Sequence, residues 1–483
     1  MNTKENISVS WPLKKQYLLY AIALSLVEFI IFKILYPFPD FYADSYWYII
    51  AASQGADIAI WPIGYSKFLA GFHMLTHSDT ALVTCQFLLM QVAALYFYFT
   101  ILHFFKTNRS FRIILFIFLF ANPLTFYLCN LISSDALFGA LTLLWLTELI
   151  RVIRRPQLYQ ILSHSVLLFL CFTIRNTAYY YLFITALAFI LSNQALWRKL
   201  IGIILPILFL VPFIRHTENA AYKLTGTRQY SLFTGWQLAN NALYIYPHIT
   251  IDSTSLSTPE AKELNRIVIE YFRSKDYLTN RELVGSFAGN YYIVSPTSPL
   301  RRYVNLHGKG SGAEFWGRMS ASFEPFGRSI LLHHPVAYTR YFVLLNCRHY
   351  FLPQLSDQGQ YNGGSNEIYD PVKNWFDYPN NRIRCISFDL QGYLSICAVL
   401  FLLLNIYCIY QFVLLFIKIR PSRFFTRSYA VDIFLAGYLV TNFIFSISVA
   451  INILRYQYIP MFILLATSLL ISEHLAGLSS KSK

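Results

Sequence analysis

Residues 390–417, whose centre reads Ile396-Cys397-Ala398-Val399-Leu400-Phe401-Leu402-Leu403-Leu404, contain no charged side chain. A hydrocarbon core about 30 Å thick is crossed by roughly 20 apolar helical residues, so this stretch is long enough to span a bilayer. Similar runs recur at 16–36, 80–102, 111–129, 134–150, 158–174, 177–192, 199–214, 429–451 and 456–473. Together they predict about ten spans, with those at 158–174, 177–192 and 199–214 on the short side. Composition points the same way: 56% hydrophobic and 13% charged residues make the chain too apolar for a soluble globular domain. The expected fold class is an all-α polytopic membrane protein.

A net charge of +15 is compatible with nucleic acid or with acidic lipid, and the position of the basic residues decides between them. Lys14, Lys15, Lys106, Arg109, Arg112, Arg151, Arg154, Arg155, Arg198 and Lys199 all fall on one side of ten alternating spans. So do Lys418, Arg420, Arg423, Arg427, Lys481 and Lys483. By the positive-inside rule that side is the cytoplasm, and both termini belong to it. The partner of this charge is the bilayer, with no nucleic acid. The first apolar run lacks a small-residue cleavage site and is interrupted by Glu28 and Lys33, which reads as an anchor rather than a removable signal.

Three parts follow from this topology: a seven-span block at 1–214 with an outer loop at 37–79, an outer soluble segment of mixed structure at 215–389, and a three-span block at 390–483. Within the outer segment, 259–274 has helical periodicity, with Leu264, Ile267, Val268 and Tyr271 on one face and Thr258 placed to start the helix. Residues 329–351 are apolar and aromatic, broken by His333-His334-Pro335, and suit a position along the membrane surface. The glycine-rich runs at 308–312 and 359–364 read as mobile loops. Cys347 and Cys385 belong to the outer segment, where pairing and free thiols both stay open. There is no internal repeat and no matched pair of interrupted helices, and no buried polar residue is expected midway along the spans. All three argue against a transporter.

The outer loop is richer in chemistry than a connector needs. It begins Pro39-Asp40-Phe41-Tyr42-Ala43-Asp44-Ser45-Tyr46. Asp40 and Asp44 are four apart, so on a helix both carboxylates share a face, with Tyr48 continuing the stripe. For each, helix capping and hydration compete with a functional role. Trp61-Pro62-Ile63-Gly64-Tyr65-Ser66-Lys67 then reads as a turn into a short helix, and the Lys67 ammonium suits either a phosphate or the lipid interface. No P-loop, dinucleotide fingerprint, zincin motif or nucleophile elbow is present, and the histidines lack metal-ligand spacing.

Several of these residues occur in an order that resembles the GT-C superfamily of polyprenyl-phosphate-sugar glycosyltransferases. The order runs Tyr42-Ala43-Asp44-Ser45, Pro62-Ile63-Gly64-Tyr65, Asn122-Pro123, Ser133-Ser134-Asp135, then Arg455-Tyr456 with Pro460 four residues later. The bacterial relatives of protein O-mannosyltransferases and of the lipid A aminoarabinose transferase are the nearest in pattern. The resemblance covers the seven-span block and the final hairpin, about half the chain, and leaves 215–389 unmatched. The family's frequent pair of adjacent acidic residues is reduced here to Asp44-Ser45, which weakens direct metal coordination.

The resemblance implies a GT-C-like membrane fold and an inverting sugar transfer, at the outer face of a bacterial inner membrane. The donor would be a polyprenyl-phosphate sugar, and the acceptor a glycan, lipid or protein. By position Asp44 corresponds to the catalytic base, a role that typically contributes about 10²–10⁴ in rate. A departing phosphate needs fixed positive charge, and Arg175 and Arg455, both at outer helix ends, suit it with Lys67 in support. An arginine at the centre of a span costs about 2.5–3.5 kcal/mol on insertion scales, so each requires an anionic partner, either Asp135 or the lipid phosphate. Asp135, Asp40 and Tyr65 are then candidates to position the acceptor or a cation. If a divalent cation is required, Asp44 and Asp135 are its expected ligands. A polysaccharide polymerase or ligase is the alternative, and a lipid-linked sugar flippase a further one.

Overall fold

A computed structural model of the chain describes residues 11–252, 256–284, 289–419, 427–449 and 451–479. Arg420, Arg423, Lys481 and Lys483, counted above among the cytoplasmic basic residues, lie outside them. Among the described residues there is no strand, and the only β-type pairing is three isolated bridges. The molecule is an all-α polytopic membrane protein; among the described residues eight helices, Arg109–Asn130 taken as one, are long and apolar enough to cross a membrane, and two shorter ones are apolar.

The first block contains α1 (Trp11–Leu35), α2 (Ala43–Ser53), α3 (Gly64–His73), α4 (Asp79–Phe104), α5 (Arg109–Phe120), α6 (Pro123–Asn130) and α7 (Ser134–Arg154). It continues with α8 (Tyr159–Ile174), a 3-10 turn (Asn176–Tyr180), α9 (Tyr181–Leu191) and α10 (Leu196–Thr225). Local chemistry sets the helix starts. Ser78 accepts from the Ala81 amide at 3.2 Å, and Asn108 accepts from that of Phe111 at 2.8 Å. The run expected as one span at 111–129 is broken at Asn122-Pro123. Asn122 caps a new helix by accepting from the Leu124 amide at 3.0 Å, and proline takes its first position.

α7 sits at the centre, packed on α4, α8 and α9, and Trp145 stacks on Tyr181 with ring centroids 4.3 Å apart. α1 is peripheral, with Ala21 its one fully buried residue. α10 does not stop at residue 214 but runs on to Thr225, where Gly226 ends it in a left-handed conformation at φ 80°.

The expected outer segment divides its packing between two cores, and it is helical rather than mixed. α11 (Thr234–Ile245), α12 (Pro259–Arg273), α13 (Lys275–Val284), α14 (Tyr291–Val294), α15 (Pro299–His307) and α16 (Gly312–His333) enclose Trp236, Leu243, Leu264, Val268, Phe323 and Phe326. Thr258 caps α12 as expected, accepting from the Ala261 amide at 3.2 Å.

Beyond α17 (Pro335–Tyr338) and a π-turn, α18 (Leu344–Phe351) leads into a segment that packs on the first block. The 359–364 run is not a mobile loop there. Tyr361 donates to the carbonyls of Phe38 and Pro39, at 2.7 and 2.8 Å, and both Tyr361 and Asn362 are buried. The helix α19 (Asp370–Trp375) lies against α2. The chain then closes with α20 (Ser395–Lys418), α21 (Ala430–Val449) and α22 (Tyr458–Ser479), the last preceded by a 3-10 turn (Leu454–Gln457).

Two further expectations meet the structure here. All seven cysteines are free, so Cys347 and Cys385 are not paired. Polar residues are buried inside the apolar helices after all, among them Glu148, His164, Asn405 and Asn442. Tyr96 and Ser163 hydrogen-bond the Glu148 carboxylate, and Tyr180 donates to Asn442 at 2.9 Å. Such pairing removes most of the cost of placing polar atoms in hydrocarbon.

Candidate active site

Four helix ends converge at one end of the bundle. Asp44 is in the first turn of α2 and Asp135 in the first turn of α7, where the positive end of the helix dipole favours a carboxylate. Arg175 follows the last turn of α8, the end that favours a cation. Arg455 sits in the turn before α22. The sequence separates Asp44 from Arg455 by 411 residues, yet the Arg455 Nη2 donates to Asp44 Oδ2 at 3.1 Å.

The other guanidinium nitrogen of Arg455, Nη1, lies 3.5 Å from Asp135 Oδ2, and Arg175 Nη1 donates to Asp135 Oδ1 at 2.6 Å. The four charges therefore alternate in a chain: Asp44, Arg455, Asp135, Arg175. Side-chain exposure falls inward, from 21% at Asp44 to 7% at Arg455 and 2% at Asp135, with Arg175 at 17%. Asp44 is thus the most accessible of the four.

Aromatic rings hold the guanidinium groups in place. Arg175 lies 4.3 Å from the Tyr456 ring centroid and Arg455 lies 4.6 Å from that of Tyr42. Tyr456 also accepts from Arg455 at 3.3 Å. Ser133, the cap of α7, donates to Asp135 at 2.5 Å, and Tyr48 donates to Ser134 at 3.0 Å. Burial, and then the charge of Asp44, push the Tyr48 phenol up, which keeps it a donor at neutral pH. Burial by itself would lower the pKa of Arg175. The facing Asp135, with Tyr456 and Tyr48, more than offsets this, and the net shift is upward.

The remaining expected residues lie elsewhere. Asp40 does not share a helix face with Asp44, because α2 begins only at Ala43. Asp40 instead forms a bridge with Leu131, and its carboxylate accepts from the Asn362 amide at 2.7 Å and from Gln391 at 3.1 Å. Lys67 is exposed and contacts the Gly55 carbonyl at 3.2 Å and Asp57 at 3.4 Å. Tyr65 is fully buried, donates to Gln86 at 2.8 Å and meets the Tyr48 ring edge-on at 4.9 Å, so it backs the cluster from behind. Sequence reasoning assigned no role to Tyr42, Tyr48 or Ser133, although the first two flank Asp44 and the third stands in a quoted motif.

A divalent cation does not fit these residues. Arg455 occupies the space between the two expected carboxylate ligands, and among the described residues no three His, Cys, Asp or Glu side chains are grouped to hold a metal.

Fold and site together define a polytopic helical membrane protein with an alternating aspartate-arginine cluster at the helix ends. Comparison of the chain with models of protein families, with curated proteins and with solved structures finds no match.

Proposed function

We propose that this protein is a GT-C-type membrane glycosyltransferase, moving a sugar from a polyprenyl-phosphate donor to a hydroxyl or amine acceptor. On this reading the chain crosses a bacterial inner membrane ten times, with α8 and α9 included, and the cluster faces outward. The observation that carries the proposal is the meeting of Asp44, Asp135, Arg175 and Arg455 in one chain of ion pairs.

The mechanism follows from competition for the guanidinium groups. A donor phosphate entering beside Arg175 and Arg455 offers oxygens that suit paired hydrogen bonds from each planar fork. As Arg455 turns toward phosphate it releases Asp44, the most exposed carboxylate. Asp44 then takes the acceptor proton while the acceptor atom bonds to the anomeric carbon. The bond from that carbon to the phosphate oxygen breaks on the opposite face, so the configuration inverts. Polyprenyl phosphate departs as an anion already matched by the two guanidinium groups, and no general acid is required.

The test pairs Asp44→Asn with mass spectrometry of envelope glycans and lipids from cells with and without the protein. A glycan that disappears with the protein and stays absent in Asp44→Asn, at unchanged thermal melting of the variant, supports the base. The rate loss expected is about 10²–10⁴. Full transfer by Asp44→Asn sinks the assignment. Sensitivity at Arg175 with indifference at Asp44 identifies a polysaccharide polymerase or ligase instead.

A further inference from the structure

Three features take no part in the chemistry above: Trp47 on α2, the extension of α10 past residue 214, and the glycine-rich run at 308–312. They meet at one cleft of about 620 Å³. One wall is Trp47 and Gln54. The opposite walls are His216, Asn219 and Lys223 on the α10 extension and 311–314 at the start of α16. Trp47 stands one turn after Asp44, so α2 both lines this cleft and carries the proposed base.

The lining carries no single sign of charge. Lys223 and His216 line it together with Asp57 and Glu314. What stays available is a half-buried indole with the side-chain amides of Gln54 and Asn219 and the hydroxyl of Ser311. An apolar aromatic face beside neutral donors and acceptors matches a sugar ring, which has C–H groups on one face and hydroxyls at its edge.

A second, smaller cavity shares part of this wall. Residues 57–60 line both the cleft and this cavity of about 20 Å³, whose wall includes Trp61 and Asn176, the residue after Arg175. Trp61 Nε1 and Asn176 Oδ1 are buried there without a hydrogen-bond partner. A buried donor and acceptor left unpaired cost stability, and a space of this size holds one water or one hydroxyl.

We propose that the cleft binds a neutral saccharide, with a sugar ring on Trp47 and its hydroxyls on Gln54, Asn219 and Ser311. Calling that saccharide the acceptor rests on the glycosyltransferase reading; its binding does not. The experiment uses the full chain in lipid nanodiscs against a panel of neutral oligosaccharides built from glucose, galactose, mannose and N-acetylglucosamine. Sulfated and uronic-acid oligosaccharides are run alongside.

At least one neutral series is retained, Trp47→Ala weakens it about tenfold, and Trp47→Phe restores part of the loss. Should Trp47→Ala melt early, the pair Gln54→Ala and Asn219→Ala provides the same reading. Retention of charged glycans alone, of none, or of neutral glycans equally by the variants overturns the proposal. Binding without any sugar transfer removes the enzymatic reading and leaves the cleft, whereas transfer without binding removes only the cleft.

Discussion

Arg455 is held from both sides, by Asp44 through one nitrogen and by Asp135 through the other, and a single ammonium cannot reproduce that fork. Arg455→Lys is therefore expected to fold yet lose about 10²–10³ in transfer rate, the scale of one fixed stabilising donor. Wild-type rate in this variant would remove the need for a guanidinium. Gly64 makes a different demand. A Cβ there would lie 2.7 Å from the backbone of Thr173, two residues before Arg175, so the outer loop can dock on α8 only without a side chain. Gly64→Ala should lower stability by about 1–3 kcal/mol, seen as earlier thermal melting in detergent; an unshifted melt would show that the loop has room to move. The charged members of the cluster were legible because a lone charge beside an apolar run has to be explained. Tyr42 and Tyr456 stand in the quoted motifs, but their role against the guanidinium groups was not legible, since in a chain with 36 tyrosines and 42 phenylalanines an aromatic neighbour carries no contrast. Asp40 does not share the Asp44 face for a geometric reason: four-residue spacing means a shared face only inside a helix, and Tyr42 is still extended, at φ −142°.

The turn that presents Arg455 is fastened by its neighbours. Gln457, two residues on, faces Asn442 of α21 at 3.5 Å, and Asn442 also accepts from Tyr180 at 2.9 Å and donates to Tyr350 at 3.2 Å. One buried amide thus joins the turn after α8, α18, α21 and the start of α22. Asn442→Leu fills the same space but leaves the polar atoms of Tyr180, Tyr350 and Gln457 to find other partners. The expected loss is about 1–3 kcal/mol for the first group left unsatisfied. Melting temperature should fall, and restoring Asn should recover it; equal melting of the two forms would mean the amide fastens nothing. Apolar length made the long helices readable, and a β-branched, aromatic or leucine-rich run carries the same message wherever it falls. The break inside 111–129 was readable only as Asn122-Pro123, a cap and a first-turn proline that pass unnoticed within an apolar run. In the outer segment α12 was visible through its periodicity and Thr258. The segment around Tyr361 was not, because it docks through the carbonyls of Phe38 and Pro39, through the Asp40 carboxylate and through Asn362 at a positive φ of 49°, none of which leaves a periodic trace.

At the scale of the whole molecule the open quantity is how often the chain crosses the bilayer, and the ion pairs bear on it. α7 is 21 residues long, which is about 30 Å of helix, and Asp135 and Arg154 mark its two ends. Tyr159, at the start of α8, accepts from Arg151 at 2.6 Å near one end, while Arg175, just past the end of α8, binds Asp135 at the other. α8 therefore runs the length of α7 in the opposite direction, and if α7 crosses, α8 crosses with it. α9 then has to return, since Lys199 at the start of α10 donates to the Ile190 carbonyl at 3.0 Å and must sit with the other basic loops. Eight long helices alone would give the same even parity and the same side for both termini, so a tag on either end cannot separate the two counts. Asn193, exposed in the loop between α9 and α10, and Lys309, exposed in the glycine-rich run, mark the two sides of the membrane on either count when each is replaced by cysteine in a background without the seven native ones. On both counts Lys309→Cys reacts with a membrane-impermeant maleimide in intact spheroplasts, and Asn193→Cys reacts only after the membrane is opened, so the two serve as references for each side. Arg175→Cys distinguishes the counts most directly: ten crossings place it on the Lys309 side, whereas a hairpin of α8 and α9 that fails to cross leaves it with Asn193. Labelling of position 175 from the cytoplasmic side would separate Arg175 from Asp135 across the bilayer, and the ion-pair chain on which the proposed chemistry depends would fall with it.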